Sequence, residues 1–421
     1  MKQSSQTSIK KVLLLALGIR LVLIPLSYHS DLNNNEIWGI YAREFGLRGF
    51  YDWLNFGNYA RPDYPPLAMV LFNFLRYLWA GIFQVVWKIN IALPLFPSNL
   101  VTWLDIYGMR ALIKVPGIIS DLAIGLIIYR EAKKISPQKA VYYSKLFLLN
   151  PAIIYLSSSW GQLDSVVTLF ALLSILGVRS RKYTHATTYY FISIMTKATF
   201  VPIAPLLLIQ SIKQHISVKS VVATLLLLLL YFYIVGTLFI DKLPVSWLFN
   251  LYTGTIIKGA VTLPYINLNA FNFWGVILGL DRIEDSTKVL WFTLNNLAYV
   301  AAIPCLLLIL RKFMKGAEII HTTAILFFSI FMFFPRVHER YLYPTIALMP
   351  LVLIRNSHLK KLYFSLSTIF LLNLYHWWWF PEIKPLVAFL DFDIIERLLS
   401  LSSLIIFLLL FRDYLSTKMR K

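Results

Sequence analysis

The sequence predicts an all-α polytopic membrane protein, a bundle of about twelve transmembrane helices with further helix lying along the membrane surface in its first outer loop. Three observations carry this. The 421 residues are 58% hydrophobic and only 14% charged, against roughly half apolar and a quarter charged in soluble domains. Runs such as LLLLLLYFYIVGTLF (225 to 239) and SSLIIFLLLF (402 to 411) need no polar partners in lipid as helices, because a helix satisfies its own backbone there. Finally, the net charge of +20 falls in short basic clusters between the apolar runs, a pattern of membrane orientation and not of nucleic-acid binding.

Those clusters set the order of the elements. They lie at Lys10 and Lys11, Arg130 to Lys134, Arg179 to Lys182, Lys213 to Lys219, Arg311 to Lys315, Arg355 to Lys361, and after Arg412. All fall on the cytoplasmic side if the spans are 11 to 28, 108 to 129, 140 to 157, 163 to 178, 186 to 197, 199 to 212, 219 to 240, 287 to 310, 319 to 335, 341 to 355, 362 to 379 and 397 to 411. Residues 67 to 87 are apolar enough to span, but counting them would turn the clusters at 130 to 134 and 179 to 182 outward. They are therefore expected as an interfacial helix, suited by Trp79, Trp87, Tyr77, Arg76 and Lys88. On this map the whole chain, 1 to 421, is one integral-membrane domain with outer loops at 29 to 106 and 241 to 286. All acidic residues except Glu131, Glu318 and Asp413 lie outside or within spans. The basic N-terminus feeds an apolar run with no small-residue cleavage site before Tyr28 and reads as a retained first helix. The single cysteine, Cys305, makes no intrachain disulfide.

Polar residues concentrate at the outer ends of the spans. After the first span comes SYHSDLNNNEIWG, where Asp31 and Glu36 are candidates for a carboxylate that takes a proton from an attacking hydroxyl; the structural alternative is that Asp31 caps a helix. In RPDYPPL, Asp63 reads as structural, ahead of two prolines that fix an extended approach to the interfacial helix. The turn SSSWGQLDS leaves almost no loop between two spans, and so many hydrogen-bonding groups at a membrane mouth are costly unless used. Gln162 and Asp164 are candidates to hold sugar hydroxyls, and Trp160 to stack on a sugar or anchor at the interface. LNAFNFWG adds Asn269 and Asn272, amides suited equally to hydroxyls and to helix capping. FFPRVHERYLYP gathers Arg336, His338, Glu339 and Arg340 on a face where positive-inside logic does not want cations; they suit the negative charge developing on a phosphate leaving group. Lys197, within an apolar segment, requires an anionic partner. Phosphate contact and pairing with Asp121 or Asp164 are both open for it.

Taken in order, the acidic loop with Asp31, Glu36 and Trp38, the DYPPL run, Met109 with Arg110, Ser120 with Asp121, WGQLDS, Lys197, NAFNFW and HERY resemble the GT-C integral-membrane glycosyltransferases. The likeness is to the endoplasmic-reticulum glucosyltransferases that use dolichyl-phosphate-glucose and to prokaryotic GPI-mannosyltransferase-related proteins. The resemblance implies transfer of a hexose, mannose or glucose, from a polyprenyl-phosphate donor to a glycan or lipid-linked acceptor on the non-cytoplasmic face. It further implies an inverting single displacement with Asp31 as base, donor phosphate at Lys197, His338 and Arg340, and no metal or other cofactor. The chain departs from the glucosyltransferases at Leu32 and Asn33 to Asn35, where they carry an aromatic and an acidic residue. WGQLD and HERY look more like the prokaryotic branch. A prokaryotic plasma membrane is thus expected ahead of the endoplasmic reticulum, a choice also favoured by STKMRK, which contains no dilysine retrieval signal. Partners are membrane lipid, the lipid-linked donor and the acceptor, without nucleic acid. A lipid-linked sugar flippase and a glycan polymer ligase are the alternatives.

Overall fold

In a computed structural model, the described residues are 8–52, 56–93, 95–241, 244–256 and 263–417. Parts of both expected outer loops, the first seven residues and the end of the chain at 418–421 lie outside them. Eighteen α-helices form the described chain, joined by short turns and by two ribbons of two-residue strands. Five helices are long and apolar enough to cross a membrane: Pro66–Ala92, Ser98–Ile135, Val218–Thr237, Leu294–Met314 and Asp393–Ser416. Ile319–Phe333 and the run Ala198–Lys213 are apolar but shorter.

Several segments expected as single spans are broken into shorter helices and turns. The first is helix α1 (Ile9–Leu23) followed by a 3-10 turn at Pro25. The segment expected at 140 to 157 is α5 (Ala140–Leu148), α6 (Pro151–Ile154) and a π-helical turn (Tyr155–Trp160). The break falls at Asn150, whose side chain accepts the Ala152 N–H at 3.0 Å, and at Pro151, whose missing N–H costs nothing in a first turn. The span expected to begin at 287 begins at Leu294. Residues 288 to 293 form an antiparallel ribbon instead, and Thr293 caps the helix by accepting the Asn296 N–H.

The first outer loop carries α2 (Ser30–Glu44) and α3 (Pro66–Ala92). The segment expected to lie along the membrane surface is thus a continuous 27-residue helix, roughly 40 Å long. It leads into α4 (Ser98–Ile135), whose 38 residues extend roughly 57 Å, about twice the thickness of a hydrocarbon core. Lys114 Nζ in the middle of α4 donates to Ser27 O at 2.5 Å and to Ile24 O at 2.9 Å. The excursion from 28 to 113 therefore leaves and rejoins the bundle at one level. Beyond that level α4 runs antiparallel to α1, held by Arg20 and Asp121, both 0% exposed and 3.0 Å apart. Ser157, Ser165 and Tyr343 hydroxyls also donate to Asp121. A buried ion pair whose carboxylate is engaged this way holds helices in register, and it accounts for Asp121 structurally.

From α4 onward the chain shuttles between two ends. One end collects basic clusters: Arg179 at the end of α7 (Asp164–Arg179) lies 3.8 Å from Glu131 and 3.7 Å from Glu318. At the same end Lys213, closing α9 (Ala204–Lys213), donates to Phe313 O, and His358 meets Asp413 at 2.7 Å. The opposite end collects the polar motifs. Close backbone approaches make this packing possible: a Cβ on Gly108 would stand 2.0 Å from the Trp79 ring, and one on Gly39 2.8 Å from Phe72 O.

Candidate functional site

At the polar end, α2 opens with His29 as its cap: Nδ1 accepts the Asp31 N–H at 3.0 Å. Asp31 is therefore not the cap. It sits in the first turn, where the helix dipole favours a negative charge. Its Oδ2 accepts the Trp160 indole N–H at 3.1 Å and the Gln162 amide at 2.5 Å. Its Oδ1 lies 3.5 Å from His29 Nδ1, and the side chain remains about one-third exposed, at 34%.

The two donors are delivered by the WGQ segment. Residues 155 to 160 form the π-helical turn, and Gly161 closes it in the left-handed region at φ +90°. A residue with a Cβ there would be strained in backbone and would meet Leu32 and Lys114. Trp160 is fully buried, so its N–H needs a partner, and Asp31 supplies it. Burial by itself would raise the Asp31 pKa, but the Arg340 charge and the Trp160 N–H outweigh it and hold the carboxyl well below the usual carboxylate range.

The cationic side comes from two chain breaks. Helix α8 (Tyr183–Thr196) ends where Lys197 turns extended, at φ −155°, and Lys197 Nζ donates to Asp164 Oδ2 at 2.8 Å. The HER segment is pinned by parallel pairing of Val337 and His338 with Asn267 and Leu268. Glu339 is buried beneath it, accepting Arg340 Nη1 at 2.8 Å. The Arg340 guanidinium stands 5.9 Å from the Trp160 ring centroid, and its buried Nε has no hydrogen-bond partner among the described residues. Burial and the neighbouring Arg340 charge lower the His338 pKa below the ordinary histidine value, despite Glu339. That favours a neutral imidazole at neutral pH.

These groups face a cavity of about 660 Å³. Asp31, Asp63, Lys197, Arg336, His338 and Arg340 line it, with Phe327, Ile330 and Trp378 among its apolar walls. Each main-wall cation has a carboxylate of its own: Asp164 for Lys197, Asp285 for Arg336 at 2.7 Å, and Glu339 for Arg340.

Of the residues singled out by sequence, Asp31, Lys197, His338 and Arg340 line this cavity. Trp160, Gln162 and Asp164 do not; each is buried behind it, holding a wall residue. Glu36 is not on the wall either, its Oε2 accepting Arg110 Nε at 2.7 Å. Asn272 is fully buried, capping α12 (Phe273–Leu278) through its Oδ1 and donating to Phe331 O at 3.0 Å. Asn269 adopts φ +60°, and its carbonyl accepts the Asn373 amide at 2.6 Å. The Asn272 side chain and the Asn269 main chain are thus engaged in shaping the backbone.

Sequence reading passed over three groups on the cavity wall. Asp63, read as structural, lines the cavity, and burial raises its pKa although Arg340 and Lys197 lower it. His29 and Trp378 also line it, and the His29 ring stacks on Trp160 at 4.3 Å and meets Trp378 edge-on at 5.0 Å. The run of tryptophans at 377 to 379 was the available signal for the last. No protein-family model matches the chain, and no curated protein matches it in sequence.

Proposed function

We propose that the protein is an integral-membrane glycosyltransferase of the GT-C type, crossing the membrane about twelve times and working on the non-cytoplasmic face. In this reading α3 lies against the outer leaflet, and the broken helices complete the spans that the five long ones begin. The observation that carries the proposal is the sharing of one cavity by Asp31 and the cations around Arg340. A sugar phosphate donor presents an anomeric carbon to an attacking hydroxyl and a phosphate to cationic donors, and such a cavity offers both.

The acceptor hydroxyl attacks the anomeric carbon from the Asp31 side. The new C–O bond forms as the bond to the carrier phosphate breaks, the electron pair passing to the phosphate oxygen. Asp31 takes the acceptor proton through Oδ1, the oxygen not committed to Trp160 and Gln162. Its depressed pKa keeps it ionised and makes it a late acceptor, receiving the proton as the attacking oxygen becomes acidic. Arg340 and Lys197, both on the cavity, meet the phosphate as its charge grows. The apolar residues of the same cavity suit the polyprenyl chain. A hexose donor, mannose or glucose, and a glycan or lipid-linked acceptor fit this scheme, as does a prokaryotic plasma membrane, where lipid-linked sugars supply glycosyl groups outside the cell.

The test is a screen of polyprenyl-phosphate sugars with the protein purified in lipid, scoring donor hydrolysis and transfer separately. Activity with one donor, lost in Asp31→Asn, is the expected result; neither activity with any donor rejects the proposal.

A further inference from the structure

A second cavity, of about 520 Å³, lies at the other end of the molecule among the basic clusters. Its volume is within the range of ligand pockets. Among the described residues, Arg179, Lys213, Lys312 and Arg355 line it against two carboxylates, Glu131 and Glu318. Helix C-termini converge there, and their partial negative charge accounts for the lysines. Lys213 Nζ donates to Phe313 O at 2.5 Å, and Lys312 Nζ to Leu415 O at 2.6 Å and Thr417 O at 2.9 Å.

The guanidiniums are not accounted for that way. Arg179 is 3.8 Å from Glu131 and 3.7 Å from Glu318, beyond the roughly 2.7–2.9 Å of a charge-assisted hydrogen bond. The Arg355 side chain has no hydrogen bond or ion pair among the described residues. The Arg355 fork is thus open to an acceptor, and the Arg179 fork lining the same cavity is held by its two carboxylates only at longer range; the group that such forks match bidentately is a phosphate or carboxylate. The buried His321 also lines the cavity, and its Nε2 has no partner among the described residues. Glu318 opposes an anion, but Arg179 stands between its charge and that of Glu131.

We propose that this cavity binds a phosphate group through Arg179 and Arg355, remote from the site at the polar end and independent of what that site does. The phosphate belongs either to an anionic lipid headgroup or to a soluble ion. Native mass spectrometry of the full-length protein, exchanged into phosphatidylglycerol or phosphatidylcholine and then challenged with inorganic phosphate, distinguishes the two. Preferential retention of phosphatidylglycerol identifies a headgroup site. Its displacement by inorganic phosphate, or thermal stabilisation by phosphate in detergent alone, identifies a site for the free ion. Either preference should fall roughly fivefold in Arg355→Gln and further in Arg179→Gln/Arg355→Gln, given the attraction expected per basic group. Arg355 is exposed, so its variant keeps the test valid should Arg179→Gln misfold. Lys139→Gln, an exposed basic residue outside the cavity wall, should change nothing. Equal retention of both lipids with no effect of phosphate overturns the proposal, as does an equal loss in Lys139→Gln.

Discussion

Trp160 donates its indole N–H to Asp31 Oδ2 at 3.1 Å, across 129 positions of sequence. The bond joins the first turn of α2 to the π-helical turn before α7, and it engages Oδ2 of Asp31 while leaving Oδ1 clear of it. Extra residues in a helical turn are a recurrent way of aiming side chains at a site. Here the device buries the ring behind the cavity wall and brings Gln162 to the same oxygen.

Asp31→Asn should lower transfer by roughly 10²–10⁴-fold, the usual contribution of a general base. Because the amide can still accept from Trp160, expression and thermal midpoint should stay close to wild type. Initial rates on membranes with matched protein levels measure this, and near-normal turnover would reject Asp31 as the base.

Removing a donor to Asp31 should be visible as a pH effect. Trp160→Phe and Gln162→Leu each take away a hydrogen bond to the charged carboxylate, so the Asp31 pKa should climb from its depressed position toward the ordinary carboxylate value. The acid limb of kcat/KM then moves to higher pH in both variants. The linked stability has a definite sign: a depressed native pKa stabilises the fold above the ordinary Asp pKa, and that contribution is lost as pH falls through the native value. Both variants should therefore lose less stability on acidification than wild type. Superimposable pH–rate profiles would show that these bonds do not tune Asp31.

Arg340→Ala should reduce kcat/KM for the lipid-linked donor by roughly 10–100-fold, corresponding to loss of a hydrogen bond to a charged group worth about 1.5–3 kcal/mol. The variant also strips Glu339 of a partner, so Arg340→Lys, which keeps the charge, is the companion. Partial rescue by lysine assigns the loss to charge. A lysine variant as inactive as alanine, with both folded, would point to the planar fork.

Lys197 and Asp164 form a buried pair, so removing one partner should cost more than removing both. Asp164→Asn should destabilise by about 3 kcal/mol, and the double variant Asp164→Leu/Lys197→Met by less. Denaturation midpoints of the three proteins decide it. Donor KM in Lys197→Met reads out phosphate contact separately.

Asn272→Ala separates the capping function from sugar binding. Loss of the cap costs about 1 kcal/mol, and the abandoned Phe331 carbonyl adds to it. The thermal midpoint should fall while acceptor KM stays within about twofold; a selective rise in acceptor KM would return Asn272 to the site.

The helical class and the positions of the basic and polar ends were legible in the sequence, because hydropathy and charge act locally along the chain. A Leu-rich run declares a helix whatever surrounds it, and polar residues at its ends are conspicuous by their cost. Asp31, Lys197, His338 and Arg340 stood out for that reason, and they line one cavity. The uses of Asn272, Glu36 and Gln162 were not legible, since an amide or carboxylate is equally fit to cap, to pair or to meet a ligand, and only its neighbours decide.

What the sequence determined by itself is therefore a chain of apolar helices with chemistry gathered at their ends. Tertiary structure alone decided which of those ends meet: the return of α4 to Ser27, the pairing of Arg20 with Asp121, and the placing of Asp63 beside Asp31 on one cavity. The physical reason is range. Hydrophobic periodicity and capping are set within a few residues, whereas a buried hydrogen bond or ion pair is satisfied by whichever group the packing brings within about 3 Å, however distant in the chain.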